Sequence, residues 1–316
     1  MYILKAIILS KFYLFFSDVC YTNGMKITDI NEKLKQIKFV GLVSKPKDTQ
    51  LNHYYEQIKS ALDKYKVELL VEEESAKLLS CEGTTFENMC EKSDFLISLG
   101  GDGTLISLCR RSFKYKKPVL GVYAGQLGFL TDINLDEIET FIDKIFKQDY
   151  RIDTRMMLEV SLHVKDKKQR IVAFNDVVFS RPKLSSMIDI EAYIESQLIN
   201  SYYGDGLIVS TPTGSTAYNL SAGGPVVYPL TEALILTPVC PHSLTQRPLV
   251  LPVNFAVKFK SSSSDTLIIV DGQDTYKMDD FDFISIKIAQ SGAKLIHRVD
   301  RNYFEVLKDK LHWGQK

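Results

Sequence analysis

The sequence predicts an α/β N-terminal domain with a parallel sheet, then an all-β, sandwich-like domain. A C-terminal segment is expected to pack back on the first domain. Three observations carry this reading. Up to about residue 150, short apolar runs alternate with helical spacing, as in a parallel sheet covered on both faces. After 150 the apolar residues recur with a period of two in many closely spaced runs, the signature of stacked antiparallel sheets. The last stretch, NYFEVLKDKLHW, returns to helical spacing through Phe304, Leu307 and Leu311. A chain of 316 residues is long enough for two ordinary domains.

The elements follow in order. IKFVGLVSK (37–45) reads as a buried strand. In 49–65, Leu51, Tyr54, Tyr55, Ile58, Leu62 and Tyr65 share one helical face. KVELLVE and DFLISL are the second and third strands, and the third runs into a glycine loop and a helix from about Thr104. PVLGVYA (118–124) is the fourth strand, and Leu135, Ile138, Phe141, Ile142, Ile145 and Phe146 mark another helix. In the second part, MLEVSLHV alternates through Leu158, Val160, Leu162 and Val164, and MIDIEAYI through Ile188, Ile190, Ala192 and Ile194. RIVAFNDVVFS, PLVLPVNFAVKF, TLIIVDG and FISIKIA supply further strands.

Composition narrows the function classes. Lys plus Arg equal Asp plus Glu at 39 each, so no global charge points to nucleic acid or an acidic membrane. Five scattered cysteines (Cys20, Cys81, Cys90, Cys109, Cys240) with no C-x-x-C pair read as cytosolic thiols. The N-terminal MYILKAIILSKFYLFF is apolar, but Lys5 and Lys11 break it below the length needed to span a bilayer. It reads as an extension ahead of Met25, and no membrane partner is expected.

Four stretches can carry chemistry. GGDGT (100–104) stands at the carboxyl end of a strand, where open α/β sheets bind ligands. The helix that follows offers free N–H groups to a phosphate. On loop composition alone, a tight turn capped by Asp102 fits as well. YYGDGLIVSTPTGSTAYNLSAGGPVV (202–227) combines glycines with Ser210, Thr211, Thr213, Ser215, Thr216, Tyr218 and Ser221 around Asp205. Such density can line a polyol or phosphate ligand, with Tyr218 stacking on a base or ribose. FNDVV (174–178) places Asn175 and Asp176 inside an apolar strand, as a strand-end turn or as acceptors for a ribose diol. PHSLTQRP (241–248) holds His242 and Arg247, an anion site or a capped turn. No P-loop and no zinc-ligand spacing occur, and HRVD (297–300) lacks the rest of a protein-kinase catalytic loop.

In this order, GGDGT, FND, GDGLIVSTPTGSTAYNLSAGGP and PHSLTQRPLV resemble the NAD kinase family from about residue 37 to the C-terminus. GGDG alone is shared with lipid kinases and phosphofructokinases; the long second motif is the specific one. The resemblance implies phosphoryl transfer from ATP, or from polyphosphate, to the adenosine ribose 2′-hydroxyl of NAD⁺, giving NADP⁺. It implies a divalent cation, usually Mg²⁺, and a cytoplasmic homodimer or homotetramer. It divides the chain into an extension (1–36), the α/β domain with GGDGT (37–150), a β-rich NAD-binding domain (151–295) and a returning segment (296–316).

By motif, Asp102 resembles the proton acceptor, and Gly100, Gly101, Gly103 and Thr104 the donor phosphate loop. Gly103, Asn175, Asp176, Asp205, Thr216, Ala217, Tyr218, Asn219, Leu220, Ser221 and Gln273 resemble nucleotide contacts. Asp176 is one methylene shorter than the Glu of many members. Ser107, Tyr203 and Ser186 stand where basic residues or His are common, which leaves donor preference and product binding open. A lipid or sugar kinase sharing GGDG, and a non-catalytic NAD(P) sensor, are the alternatives. The hydroxyl-rich motif argues against the first and an intact Asp102 against the second.

Overall fold

The computed structural model describes residues 32–44, 51–123, 128–183 and 186–314. The apolar N-terminal stretch, Cys20, and the strand-end residues Lys45 and Ala124 lie outside the described residues. Of the extension, residues 32–34 rest on the body: Lys33 Nζ donates to Gln148 O at 2.9 Å, and the Tyr150 hydroxyl accepts from Leu34 N at 2.5 Å.

The aliphatic runs of the first part form β1 (Phe39–Ser44), β2 (Glu68–Val71), β3 (Phe95–Leu99), β4 (Val119–Tyr123) and the short β5 (Ile133–Asn134). The helical spacing forms α1 (Leu51–Asp63). Two helices that the sequence reading leaves unassigned, α2 (Glu73–Leu79) and α3 (Phe86–Lys92), stand between β2 and β3. Each has seven residues, too few to display a period. Then come α4 (Asp102–Arg111), which starts two residues before the expected Thr104, and α5 (Ile138–Phe146). Strands β6 (Arg151–Arg155), β7 (Leu158–Val164), β8 (Lys167–Ala173), β9 (Asp176–Ser180), β10 (Ile188–Ile194), β11 (Gln197–Gly204) and β12 (Gly206–Ser210) follow. After α6 (Tyr218–Ser221) come β13 (Ala233–Val239), β14 (Leu249–Pro252), β15 (Val257–Ser261), β16 (Leu267–Val270), β17 (Asp274–Lys277), β18 (Phe283–Ile288), β19 (Ala293–His297) and α7 (Tyr303–Leu311).

The first sheet has the order β2-β1-β3-β4-β19-β6, with β5 beside β4, and every pairing is parallel except β19 with β6. One face buries Ile58, Leu62, Phe141 and Ile145 of α1 and α5. The other buries Met89, Leu105 and Leu108 of α3 and α4, together with Met157 and Phe174 from the second part. The strand order reverses at β1, so the end of β3, where GGDGT begins, lies at the switch point that favours ligands.

The second part is a pair of six-stranded antiparallel sheets, β11-β10-β15-β18-β7-β8 and β14-β13-β12-β9-β16-β17. They share one core, in which the rings of Phe179 and Phe259 meet at 4.9 Å. The alternating Leu158, Val160, Leu162, Ile188, Ile190 and Ala192 all face it. The chain then returns to the first sheet, as expected, through β19. Two strands from the 151–295 stretch, β6 and most of β19, thus belong to the first sheet. In α7 the residues that bury are Val306 and Leu307; Phe304, expected on the packed face, is 61% exposed.

Phe179 is fully buried between the two sheets. Phe179→Ala is expected to cost about 3–5 kcal/mol in chemical denaturation, the range for emptying an aromatic core site.

Candidate active site

The glycine loop is shaped by steric limits. Gly100 has φ +152°, and a Cβ there would meet Thr104 Oγ1 at 2.7 Å. At Gly101 and Gly103 a Cβ would meet nothing within 4 Å, so the surface above them is open. Gly101 is the N-cap of α4. Among the described residues, no acceptor takes the amides of Gly101, Asp102 or Gly103. Buried Thr104 closes the turn, its amide donating to Gly101 O at 3.0 Å.

Asp102 lies in the first turn of α4 and does more than cap it. Its carboxylate gathers the segment 129–131. Oδ1 accepts from Leu130 N, Thr131 N and Thr131 Oγ1 at 3.2, 3.2 and 3.3 Å. Among the described residues, Oδ2 accepts only from Phe129 N, at 2.7 Å. A carboxylate oxygen has two lone pairs, so Oδ2 keeps one for a ligand hydroxyl. Gly128 makes this approach possible, because a Cβ there would stand 2.0 Å from Asp102 Oδ1.

The FND stretch is held by a residue the sequence reading passed over. Asp271 accepts from Phe174 N, Asn175 N and Asp176 N at 2.7, 2.7 and 3.0 Å. It occupies a tight turn with Gly272, both at positive φ (49° and 64°), the Asp-Gly pair that hairpins prefer. Arg110, from the last turn of α4, reaches across: its Nε is 3.2 Å from Asp271 Oδ2 and donates to Val172 O at 3.1 Å. Its Nη1 donates to Gln273 Oε1 at 3.1 Å, and its Nη2 bonds Asp274. Gln273 Nε2 in turn donates to Gly103 O at 3.4 Å. Asp102, Gly103, Asn175, Asp176 and Gln273 are thereby brought into one neighbourhood. Asp176 is 5% exposed, and burial, then the nearby Asp271 charge, pushes its carboxyl up to about 7.

The hydroxyl-rich run is placed beside FND but is used differently from the expectation. Thr211 N donates to Asn175 O at 2.9 Å, and Thr211 Oγ1 to Phe174 O at 2.9 Å. Ser215 Oγ bonds Val227 on both its N and O, at 3.0 and 3.1 Å. Ser210, Thr211, Thr213 and Ser215 are all buried. The hydroxyls of Ser210, Thr211 and Ser215 thereby build the turn, whereas among the described residues the buried Thr213 Oγ1 has no hydrogen-bond partner. Asn219 is fully buried, with its carboxamide spent internally. Its Nδ2 donates to Ser215 O and Pro225 O at 3.0 and 3.1 Å, and its Oδ1 accepts from Thr237 Oγ1 at 2.6 Å. Thr216, Ala217 and Leu220 remain part-exposed, and Tyr218 and Ser221 are exposed.

Asp205 is not brought to this cluster. It stands at the start of β12, whereas Asp176 pairs with Ser210 at the far end, roughly 17 Å away at the usual rise per residue. There it pairs with Arg181 Nη1 at 2.9 Å. His242 packs edge-on to exposed Tyr203, and Arg247 Nη1 donates to Leu244 O and Gln246 O of its own loop. Neither joins the site. The sequence reading missed Arg110, Asp271 and Gly128. A signal existed for two of them: the Asp-Gly turn, and a glycine before the apolar FL pair.

Comparison with known proteins agrees with this fold. The ATP-NAD kinase N-terminal domain model matches residues 40–150, and the C-terminal domain model residues 174–298. The NAD kinase of Sulfurimonas denitrificans is 49% identical over 281 residues, covering 89% of this chain and 99% of that one. That of Wolinella succinogenes is 45% identical over 284 residues, covering 90% and 98%. Among solved structures, yeast NADH kinase complexed with NADH superposes with a TM-score of 0.81 at 26% identity, covering 89% of each chain. An NAD kinase from Archaeoglobus fulgidus in complex with ATP gives 0.70 at 25% identity, covering 87% and 98%.

The raised Asp176 carboxyl has a stability signature. The folded state keeps a proton that the unfolded chain releases between about pH 4 and 7, so this group lowers stability as pH rises through that window. The loss is on the order of 3–4 kcal/mol above pH 7. Asp176→Asn is expected to flatten the stability–pH curve between pH 4.5 and 8 and to be the more stable protein at pH 8. Parallel curves for variant and wild type would contradict the buried-carboxyl account.

Proposed function

The chain belongs to the NAD kinase family and is an enzyme that phosphorylates NAD, and on that footing we propose that Asp102 Oδ2 takes the proton of the adenosine ribose 2′-hydroxyl as ATP gives up its terminal phosphoryl group. The carrying observation is the one-sided loading of the Asp102 carboxylate, with three donors on Oδ1 and one on Oδ2. The loop amides fix Oδ2 in place before the substrate arrives. The hydroxyl needs only to meet the remaining lone pair, within about 3 Å of both base and phosphorus.

The amides of the glycine loop, uncommitted among the described residues and with open space beside Gly101 and Gly103, suit the donor's phosphate oxygens. Phosphoryl transfer is mostly positioning and charge stabilisation, so little more is asked of the protein. Among the described residues, no three His, Cys, Asp or Glu side chains come together as a metal cage. The divalent cation is read as part of the substrate, MgATP, carried on the phosphates. Asn175 and Asp176, with Tyr218 exposed nearby, are the proposed ribose and base contacts. ATP is preferred to polyphosphate because the family models and the Archaeoglobus complex name ATP. A homodimer or homotetramer in the cytoplasm is the proposed state. In support, Asp205 lies too far from Asp176 to share a short ligand within one chain, and Cys81, Cys90, Cys109 and Cys240 are free thiols.

The test is to incubate the chain with NAD⁺, Mg²⁺ and either ATP or polyphosphate, and to detect NADP⁺ with an NADP-specific dehydrogenase. Asp102→Asn is expected to lower kcat at least ~10²-fold, the usual effect of a lost general base, with little change in KM for NAD⁺. Near wild-type kcat would leave Asp102 only its role in holding 129–131.

A further inference from the structure

The segment that surrounds Asp102 has no regular structure of its own. Residues 128–132 belong to no helix or strand, and among the described residues no backbone–backbone hydrogen bond involves 128–131. Backbone groups outside a ladder need partners from side chains or water. The amides of Phe129, Leu130 and Thr131 go to the Asp102 carboxylate. Among the described residues, one carbonyl of 128–131 is bonded by a side chain: Phe129 O accepts from Arg301 Nη2 at 2.5 Å. Phe129 thus stands between two charges, its N–H on Asp102 Oδ2 and its C=O on the Arg301 guanidinium.

Arg301 is itself held rigidly. Its side chain is 6% exposed, with Nη1 2.9 Å from His297 Nε2 and Nε 3.6 Å from Asp132 Oδ2. His297 can accept there because it is neutral near pH 7: burial, then the Arg301 charge, hold it down at about 4. Asp132 Oδ1 lies 3.2 Å from His297 Nδ1 and accepts from it when that nitrogen carries the ring proton, which leaves the Nε2 lone pair to Arg301. From behind, Arg151 of β6 donates through Nη1 to Val299 O at 3.4 Å and through Nη2 to Arg301 O at 3.2 Å. The planar fork of an arginine can serve several such directions at once. The fold, and not the substrate, therefore supplies the ordering of this long side chain.

We propose that Arg301 is a positioning residue for phosphoryl transfer: it holds Phe129 so that the Phe129 N–H fixes Asp102 Oδ2 with a lone pair open to the ribose hydroxyl. It acts through Phe129 and not on the reacting atoms. A carboxylate turns in a broad, two-fold well about its last bond, so without a fixed donor Oδ2 would point in several directions. A misplacement of about 1 Å at a reacting group costs on the order of 10²-fold in rate. The hold on 129–131 rests on the structure alone; only its link to turnover rests on the proposed role of Asp102.

The test compares the full wild-type chain with Arg301→Gln and Arg301→Lys, by steady-state kinetics with NAD⁺ and MgATP and by amide hydrogen exchange over 128–132. Arg301→Gln is expected to speed exchange of the Phe129, Leu130 and Thr131 amides at least ~10-fold. It should lower kcat about 10–100-fold, with KM for both substrates changed by less than about 3-fold. Arg301→Lys, which keeps one charged donor for Phe129 O, should recover part of both losses. In an Asp102→Asn background, Arg301→Gln should lower kcat little further, because the group it positions is already gone. Should Arg301→Gln fail to fold, Arg151→Gln, which frees the backbone behind Arg301, is read the same way and should show the same pattern more weakly. Unchanged exchange would overturn the proposal, and so would, with Asp102→Asn inactive, an unchanged kcat or a loss of the same factor in both backgrounds. Faster exchange together with near wild-type kcat in Asp102→Asn upholds the hold on 129–131 and removes only the proton-acceptor reading.

Discussion

The Arg110–Asp271 ion pair is the contact on which the rest of the site depends. Arg110 belongs to the helix that begins with Asp102, and Asp271 belongs to the turn that collects the amides of Phe174, Asn175 and Asp176. One guanidinium therefore ties the helix that begins with Asp102 to the segment 174–176, which hold the proposed proton acceptor and the proposed ribose contacts. Burying such a pair returns little net stability, but removing one partner leaves a buried charge and costs about 3–5 kcal/mol. The pair is best understood as a registration device: the two halves fit in one relative position, in which Gln273 also reaches Gly103 O.

The second constraint is the return of the chain to the first sheet. β19 lies between β4 and β6, and immediately beyond it Arg301 bonds Phe129 O while His297 and Arg298 bond Asp132. The segment that steadies Asp102 is thus fastened from both sides, by the carboxylate it surrounds and by residues 165 to 172 positions later. A crossover of this kind makes the site a property of the whole chain. It also concentrates arginines at the junction, where among the described residues the Nε of Arg151, Arg155 and Arg301 has no hydrogen-bond partner.

The fold was legible where periodicity was long. The alternation at 158–164 and 188–194 and the helical face of 51–62 reappear as β7, β10 and α1 because each buries one continuous side against a core. The helices α2 and α3 were too short to show a period, and β6 and β19 resemble any antiparallel strand until their partners are known. In the site, the glycines and Asp102 stood out because backbone geometry restricts them locally. That the side chains of Asn219, Thr211 and Ser215 are spent inside the turn was not legible, because a polar side chain that builds a turn and one that meets a ligand have the same sequence signature. Arg110 and Arg301 act through partners far away in the chain, and no local pattern marks them; Asp271 is marked only by the Asp-Gly turn it opens.

The most direct measurement is a double-mutant cycle on the clamp, with Arg110→Met, Asp271→Asn and both together, read as the rate of NADP⁺ formation. If the ion pair holds the proton acceptor and the FND segment in register, each single change breaks the same connection. The double variant should then be little worse than the poorer single one, a coupling of about 1–3 kcal/mol. Losses that simply multiply, or single variants with wild-type rates, would show that the two halves find their register without it.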